Sequence, residues 1–416
     1  MNRLHKILAA LLMFNVQCSM FNELHAADSK TSMFNPIHTA MVSNNIAPDA
    51  RAGGMGDIGA ATDPDCASQY WNPAKYPFCI SRAGVQLSYT PWLRQLVSDM
   101  NIAYLSGYYR IGDYSAISAS LHYFSLGEVY FADETTGEAD MSQSIKPYEM
   151  SVDVAYSLML SEKFSIAAGV RYLLSDISYS RTEESSAASA FAADLACYYQ
   201  NYVNIGQREC QLGLGLSLRN MGSKMKFAGT NRSEFIPTNL RIGAALMIPI
   251  NEYNRFTIAA DANKLLVPTY PTMEQYVEAA KNGETQVGAP AFEPSSANLE
   301  AYADEVYYNK SSIGGMFTSF GDAPGGFKEE LEEIQWSIGA EYVYNDRFSL
   351  RAGYHDEAQS KGNRKYFTVG AGFRMSAFTL DAAYVISTAK SNPLDQTLRF
   401  SLNFDLDGIK DLFGRR

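Results

Sequence analysis

His122, Ser125 and Glu128 are the residues of this chain closest in type and spacing to a hydrolytic set. A serine activated by a histidine and oriented by a carboxylate attacks acyl esters. Positions 122 and 125 have opposite parity, so on a regular strand their side chains point to different faces. The chain has no G-x-S-x-G elbow and no H-E-x-x-H metal motif. Gly54, Gly56 and Gly59 match the G-x-G-x-x-G spacing of a dinucleotide site. No strand pattern precedes them and no βαβ unit follows, so that reading fails. Cys66, Cys79, Cys197 and Cys210 show no metal-ligand spacing. Cys197 and Cys210 fall on consecutive strand patterns and are expected near one another, and an exported chain permits bridges or free thiols. These residues point to no catalytic centre, no cofactor and no metal, so the elements that carry them matter more.

Those elements are amphipathic segments of alternating apolar and polar residues. The clearest sets Leu398, Phe400, Leu402, Phe404 and Leu406 against Arg399, Ser401, Asn403 and Asp405. Leu212, Leu214, Leu216 and Leu218 alternate with Gln211, Gly213, Gly215 and Ser217, and 164–172 and 240–248 follow the same rule. Similar patterns cover 84–92, 101–111, 114–125, 147–160, 190–200, 255–264, 335–345, 347–356, 365–375 and 378–389. Such alternation over about ten residues is the signature of a transmembrane β-barrel strand. The spacing predicts a 14-stranded antiparallel barrel. The links alternate too. Short ones follow even segments, as at Gly112-Asp113, Ser161-Glu162, Asn345-Asp346 and Ser376-Ala377, with somewhat longer ones at 201–208 and 250–254. Long ones follow odd segments, at 93–100, 126–146, 181–189, 220–237, 265–334, 357–364 and 390–395. Outer-membrane barrels keep short turns periplasmic and long loops outside. That parity places the N-terminal segment and the C-terminal tail, 406–416, on the periplasmic side.

The first residues read as a secretory leader, with Arg3 and Lys6 before the apolar stretch Ile7 to Val16 and a cleavage position after Ala26. Gln17 before Cys18 argues against lipidation, and no later apolar run is long enough for a spanning helix. With the strands spanning 84–405, residues 27–83 form a separate N-terminal unit. The net charge of −11 makes nucleic acid a poor partner. Acid gathers in the long links: Asp133, Glu134, Glu138 and Asp140 in one, and Glu300, Asp304, Glu305, Glu329, Glu330, Glu332 and Glu333 in the longest. It reads as a solvated surface, with a partner-facing surface or divalent cations shared with anionic headgroups as the functional alternatives. Tyr89, Trp92, Tyr108, Tyr148, Tyr198, Tyr199, Tyr344, Phe348, Tyr354 and Tyr366 lie near segment ends, where aromatic girdles form.

Residues 43–82 are rich in glycine, proline and small side chains and do not alternate. They read as a plug, or hatch, inside the barrel. Gly53, Gly54, Gly56 and Gly59 let its backbone approach the wall. Asp49 and Arg51 offer charges to lumen partners such as Arg241, Arg351, Asp153 or Glu341, and Asp57 belongs to the same hatch motif. Trp71-Asn72-Pro73 supplies a rigid turn with an aromatic anchor. Glycines on the inward parity, among them Gly169, Gly213, Gly215, Gly243, Gly339, Gly353, Gly370 and Gly372, leave room for it.

The string IAPDARAGGMGDIGAATDPD followed by YWNPAKYPF resembles the N-terminal motif of the PorV (LptO) family of the type IX secretion system. FGDAPGGFKEELEEIQWSIGAEYVYN, LRAGYHDEAQSKGNRKYFTVGAGF and NPLDQTLRFSLNF resemble the family's C-terminal half, and the related PorQ proteins share the first motif more loosely. The resemblance implies a FadL-type barrel with an N-terminal hatch in the outer membrane. It also implies a shuttle that takes cargo by its C-terminal signal domain from the large translocon barrel (Sov/SprA) to an attachment complex. That complex contains PorU, a sortase-like protease, with PorQ and PorZ, and joins cargo to anionic lipopolysaccharide. Lipid A deacylation, also linked to the family's naming, finds no nucleophile–base pair here.

The longest link, 265–334, is expected to carry helices: one after the Thr272/Gln275 capping box with Gly283 as its stop, a second over 296–308 and a short acidic third over 327–333. Tyr276, Tyr302, Tyr307, Tyr308, Met316, Phe317 and Phe327 supply apolar surface for a partner or for the barrel's own rim. Two functional readings remain beside the shuttle. One is a FadL-like transporter of hydrophobic small molecules, which needs an apolar pocket within the barrel. The other is the lipid A acyl hydrolase.

Overall fold

The computed structural model describes residues 34–94, 97, 99–132, 139–177, 187–227, 230–289, 294–388, 395–412 and 414. The leader, the acidic positions 133–138 and most of the link 181–189 lie outside the described residues. Fourteen antiparallel strands close into one barrel. They are β1 Ala83–Pro91, β2 Asn101–Ile111, β3 Ser115–Ser125, β4 Tyr148–Ser161, β5 Phe164–Asp176, β6 Ala188–Ile205 and β7 Arg208–Gly222. The second half comprises β8 Asn239–Asn251, β9 Asn254–Leu265, β10 Ile334–Tyr344, β11 Phe348–Asp356, β12 Tyr366–Arg374, β13 Phe378–Ser387 and β14 Leu398–Asp405. Each pairs with its neighbour in sequence, and β1 closes on β14 from Gly84↔Asp405 to Tyr89↔Phe400. Closure leaves no edge strand, the one sheet form that spans a bilayer with every backbone group paired. No helix among the described residues is long and apolar enough to cross a membrane.

The period-2 pattern is physical. Val85, Leu87 and Tyr89 are exposed on the outside, while Gln86, Ser88 and Thr90 are buried inside. The same inversion holds for Ile117 and Leu121 against Ser118 and Ser120 on β3. A band of exposed apolar side chains around a polar interior is stable only against lipid.

Two links expected to be longer, at 201–208 and 250–254, tighten to two residues because β6, β7, β8 and β9 run on past their alternating stretches. Gly206 turns at φ 66, and Asn345 and Asp346 at φ 51 and 53, the positive angles that primed hairpin turns require. At the other rim, 129–132 pairs with 139–145, and 225–226 with 233–234, as small hairpins.

The residues before β1 run down the lumen. Asn35 N–H donates to the Ser360 carbonyl, and Ala40 N–H to that of Phe235, both in long links. Farther along, the Arg110 guanidinium donates to the Cys79 carbonyl beside the Gly112 turn. The chain therefore enters from the long-link rim and leaves at the short-turn rim, where β1 begins. The sequence reading put this whole segment with the C-terminus at the periplasmic end. Strand parity fixes only where β1 starts and says nothing of the path before it.

Two further corrections follow from register. Cys197 pairs with Leu216 and Cys210 with Val203, so the two cysteines lie well apart along the ladder. All four described cysteines are free. Of the aromatics assigned to girdles, Tyr108, Tyr198 and Tyr366 are buried inside the barrel instead. Tyr108 stacks on Tyr76 at 4.7 Å and Tyr198 meets Phe78 edge-on at 5.3 Å. Tyr89, Tyr344 and Phe348 do face outward.

Candidate functional site

Two regions stand out, the lumen segment and the rim of long links. In the lumen, Asp49 precedes the single helical turn Ala50–Gly53 and caps it, accepting from Ala52 N–H at 2.9 Å. Its other oxygen accepts from the Trp71 indole at 2.6 Å, so it pairs with no wall cation. Asn72 caps the 3-10 helix Pro73–Phe78, whose first position Pro73 occupies without loss of a donor. The Asn72 amide also reaches the Ala60 and Cys197 carbonyls at 2.9 Å, and Ser157 donates to the Pro73 carbonyl at 2.7 Å. Trp71 lies under the Arg241 guanidinium, 4.8 Å from the ring.

The wall also holds this segment through charged pairs. Arg51 reaches Glu341 with both Nε, at 3.3 Å, and Nη2, at 3.0 Å, and also meets Asp65 at 2.8 Å. Asp57 pairs with Arg399 and accepts from the Tyr366 hydroxyl at 2.6 Å. Asp261 accepts from Gly59 N–H and Ala60 N–H at 2.9 and 3.1 Å. Arg351, expected among the lumen partners, instead links Glu341 and Asp381 within the wall, and Asp153 takes Gln69, Ser120 and Arg171. Removing one member of a buried pair strands the other charge at about 3–5 kcal/mol. Arg399→Met is therefore expected to lower the temperature at which the folded, fast-migrating band is lost on a heated gel.

Glycine contacts explain why this segment fits. A Cβ on Gly54 would lie 3.0 Å from the Gly370 Cα, and one on Gly56, at φ 78, would lie 2.8 Å from the Tyr354 carbonyl oxygen. Cβ atoms on Gly53 and Gly59 would overlap Arg399 and Trp71. On the wall, Gly215, Gly339 and Gly353 present bare backbone to Ala60, Met55 and Gly56.

At the long-link rim lie the helices Met273–Asn282, Ser296–Ala303, Ser312–Thr318 and Phe327–Glu332 and a π-turn Asp304–Tyr308. Tyr276 and Tyr307 are fully buried, and Tyr302, Tyr308 and Met316 partly so. Phe235, Val267, Ala303 and Tyr307 form a small core on which Ile37, Tyr270 and Tyr308 pack. The Tyr307 hydroxyl donates to the His38 carbonyl at 3.3 Å, tying the entering chain to the rim. Burial pushes the Tyr308 phenol up to about 12 and holds the Asp322 carboxyl above its ordinary value.

The acidic run is not a free surface. Lys264 meets Glu330 and Glu333 at 3.0 and 2.5 Å, and Lys361 meets Glu329 and Glu333 at 2.6 and 3.0 Å. Ser360 donates to Glu332 at 2.5 Å, and Arg232 holds Asp304. Sequence reasoning missed Lys264 and Lys361, because nothing in their spacing announces partners on another link. Lys361→Ala is expected to make 325–333 more sensitive to protease in intact, folded barrels, and unchanged digestion would contradict this pinning.

The rim also exposes large apolar side chains. Ile313 and Phe317, one helical turn apart, are 65% and 75% exposed, and Phe327 is 79% exposed. Phe320 and Leu331 are exposed as well.

The hydrolytic trio is not assembled. Neither ring nitrogen of buried His122 has a partner, Ser125 Oγ accepts from Gly127 N–H at 3.4 Å, and Glu128 accepts from Ser144 at 2.7 Å.

A closed barrel with an apolar outer band, its lumen occupied by the protein's own N-terminal segment, defines an outer-membrane β-barrel protein. Residues 29–272 match the family described as type IX secretion system protein PorV, and the chain belongs to that family. It is an outer-membrane component of type IX secretion. In chain course it is similar to a TodX deltaS2S3 mutant monoaromatic hydrocarbon channel (12% identity, 86% of this chain and 98% of that one, TM-score 0.47). It is also similar to the Pseudomonas putida toluene transporter TodX (13%, 89% and 98%, TM-score 0.46) and to a Pseudomonas aeruginosa FadL homologue (12%, 89% and 99%, TM-score 0.42). No curated protein matches the chain.

Proposed function

We propose that this barrel is a non-catalytic carrier. It takes cargo at the translocon by the cargo's C-terminal signal domain and delivers it to the surface attachment complex. The family membership supports the setting, and the exposed apolar patch of Ile313, Phe317 and Phe327 supports the contact. Aromatic anchors on an ordered base bind with little ordering cost. The base is ordered here by the tyrosine core and the lysine-pinned acidic helix. The barrel holds the patch at the cell surface, and the long-link rim is its working face.

A carrier of hydrophobic small molecules needs an apolar route through the lumen. The large apolar concavity of this protein, about 990 Å³, is lined by exposed Val85, Leu105, Ile117, Leu121 and Val154 and so opens on the lipid side. The ladders from β1 to β4 run without a register break. These observations favour the cargo carrier.

The test is a pull-down of the tagged protein from detergent-solubilised outer membranes. The reading expects a very large barrel protein and signal-domain cargo to co-purify. Recovery of neither would defeat it.

A further inference from the structure

Where the lumen segment packs near β1, β3 and β7, a cluster of buried polar groups has no protein partner. Thr90, His122 and Arg219 are 0, 1 and 7% exposed. Thr90 Oγ1, both ring nitrogens of His122, Nε and Nη2 of Arg219 and Oε1 of buried Gln69 have no protein partner.

These groups share one place. Tyr104 lies directly across the ladder from His122, their rings 6.2 Å apart, and Thr90 sits diagonal to Tyr104. The Arg219 guanidinium lies 4.0 Å over the Tyr70 ring, which in turn meets Tyr104 at 6.2 Å. Gln69 precedes Tyr70 and donates to Asp153, which holds Ser120 on the same face of β3 as His122.

Arg219 is there by construction. The register of β6 on β7 shifts between Ala193 and Leu195, and Asn220 adopts φ 58. This bulge turns both Arg219 and Asn220 inward, as bulges beside functional sites do. Asn220 uses the turn, bonding Asn44 at 3.1 Å and the Pro237 carbonyl at 2.9 Å. The free edge of Arg219 is left aimed at the cluster. Above it, Ile46, Ile102 and Phe124 form an apolar roof with Trp92, Met100 and Leu126.

We infer that this is a closed polar chamber between hatch and wall, built to hold a cluster of ordered water molecules. The donor–acceptor tally selects the ligand. Arg219 offers only donors, Gln69 Oε1 only an acceptor, and a neutral imidazole one of each. A carboxylate or phosphate would satisfy Arg219 yet set acceptor against acceptor at Gln69 and at one His122 nitrogen. The local charges are already matched, because Arg171 takes Asp153 and Asp194 while Arg219 stands beside them. Water donates and accepts, and buried waters sit where several polar groups converge.

Two measurements decide this. An experimental map of the full chain in detergent, good enough to show ordered solvent, is expected to place water within hydrogen-bond distance of both His122 and Arg219. A map in which those side chains repack onto protein partners with no density between them overturns the chamber. The sign of Thr90→Val is the second readout. Removing a hydroxyl from a dry, unpaired site raises the unfolding temperature, because it removes an unmet polar group. Removing it from a hydrated cluster strands a water, so the chamber predicts a fall. A temperature that holds or rises overturns it.

Discussion

Replacing Gly353 with valine is expected to open the barrel. At this position the wall backbone lies directly against the hatch, and a Cβ would overlap the Met55 carbonyl carbon and the Gly56 nitrogen. Both neighbours are backbone, so no rotamer change relieves the clash. Gly339, the register partner of Gly353, already presses on the Met55 carbonyl from β10. The cheapest response is for 54–57 to lift off the wall. That breaks the bond from Gly56 N–H to Thr368 and the Asp57 contacts to Arg399 and Tyr366. The strands should survive, because the ladder beside Gly353 runs without a register break on both sides. In planar bilayers the valine variant is expected to conduct ions steadily where the parent is nearly silent. Trypsin should cleave at Arg51 in the variant and spare it in the parent. A variant as silent and as protected as the parent would show that the hatch is not seated by backbone contact.

The second large effect is expected at the rim. Ile313→Ser, Phe317→Ser and Phe327→Ser together remove the exposed apolar side chains and leave the buried tyrosines unchanged. Each anchoring aromatic lost costs about 2 kcal/mol of binding. A triple change should therefore weaken cargo binding by more than about tenfold. Stability should not fall, since these side chains are exposed in the free protein. Cells carrying the variant are expected to accumulate cargo that still bears its signal domain, with the barrel at its usual level in the outer membrane. Normal cargo attachment would remove the patch from the account. Loss of the barrel itself would mean these residues hold the rim together.

The barrel was legible because lipid imposes a strict rule. Each strand crossing the bilayer must turn apolar residues outward, so Val85, Leu87 and Tyr89 announce themselves at period two. The rule lapses at the strand ends, which is why β6 and β7 continue through 201–205 and 208–210 beyond the readable pattern. Aromatics gave a mixed signal for a related reason. Tyr366 fits a girdle by position along the strand, but its parity sends it inward to Asp57.

The hatch was legible only as composition. Small residues at 53–60 and inward glycines on the wall suggested a fit, and Arg51 with Glu341 was among the expected pairs. The pairing of Asp57 with Arg399 has no local signal, because the two are brought together only by closing the barrel. The direction of the segment was misread for the same reason. The helix Ser312–Thr318 was missed because Gly314 and Gly315 argue against helix. Gly315 is small by necessity: a Cβ there would lie 2.7 Å from the Phe235 ring.

The most direct test of the carrier reading is binding between the purified barrel in detergent and a purified cargo signal domain, measured at equilibrium. The account predicts saturable binding to the parent protein and a loss of more than about tenfold for the Ile313, Phe317 and Phe327 triple variant. No binding to the parent, or equal binding to both, would contradict it.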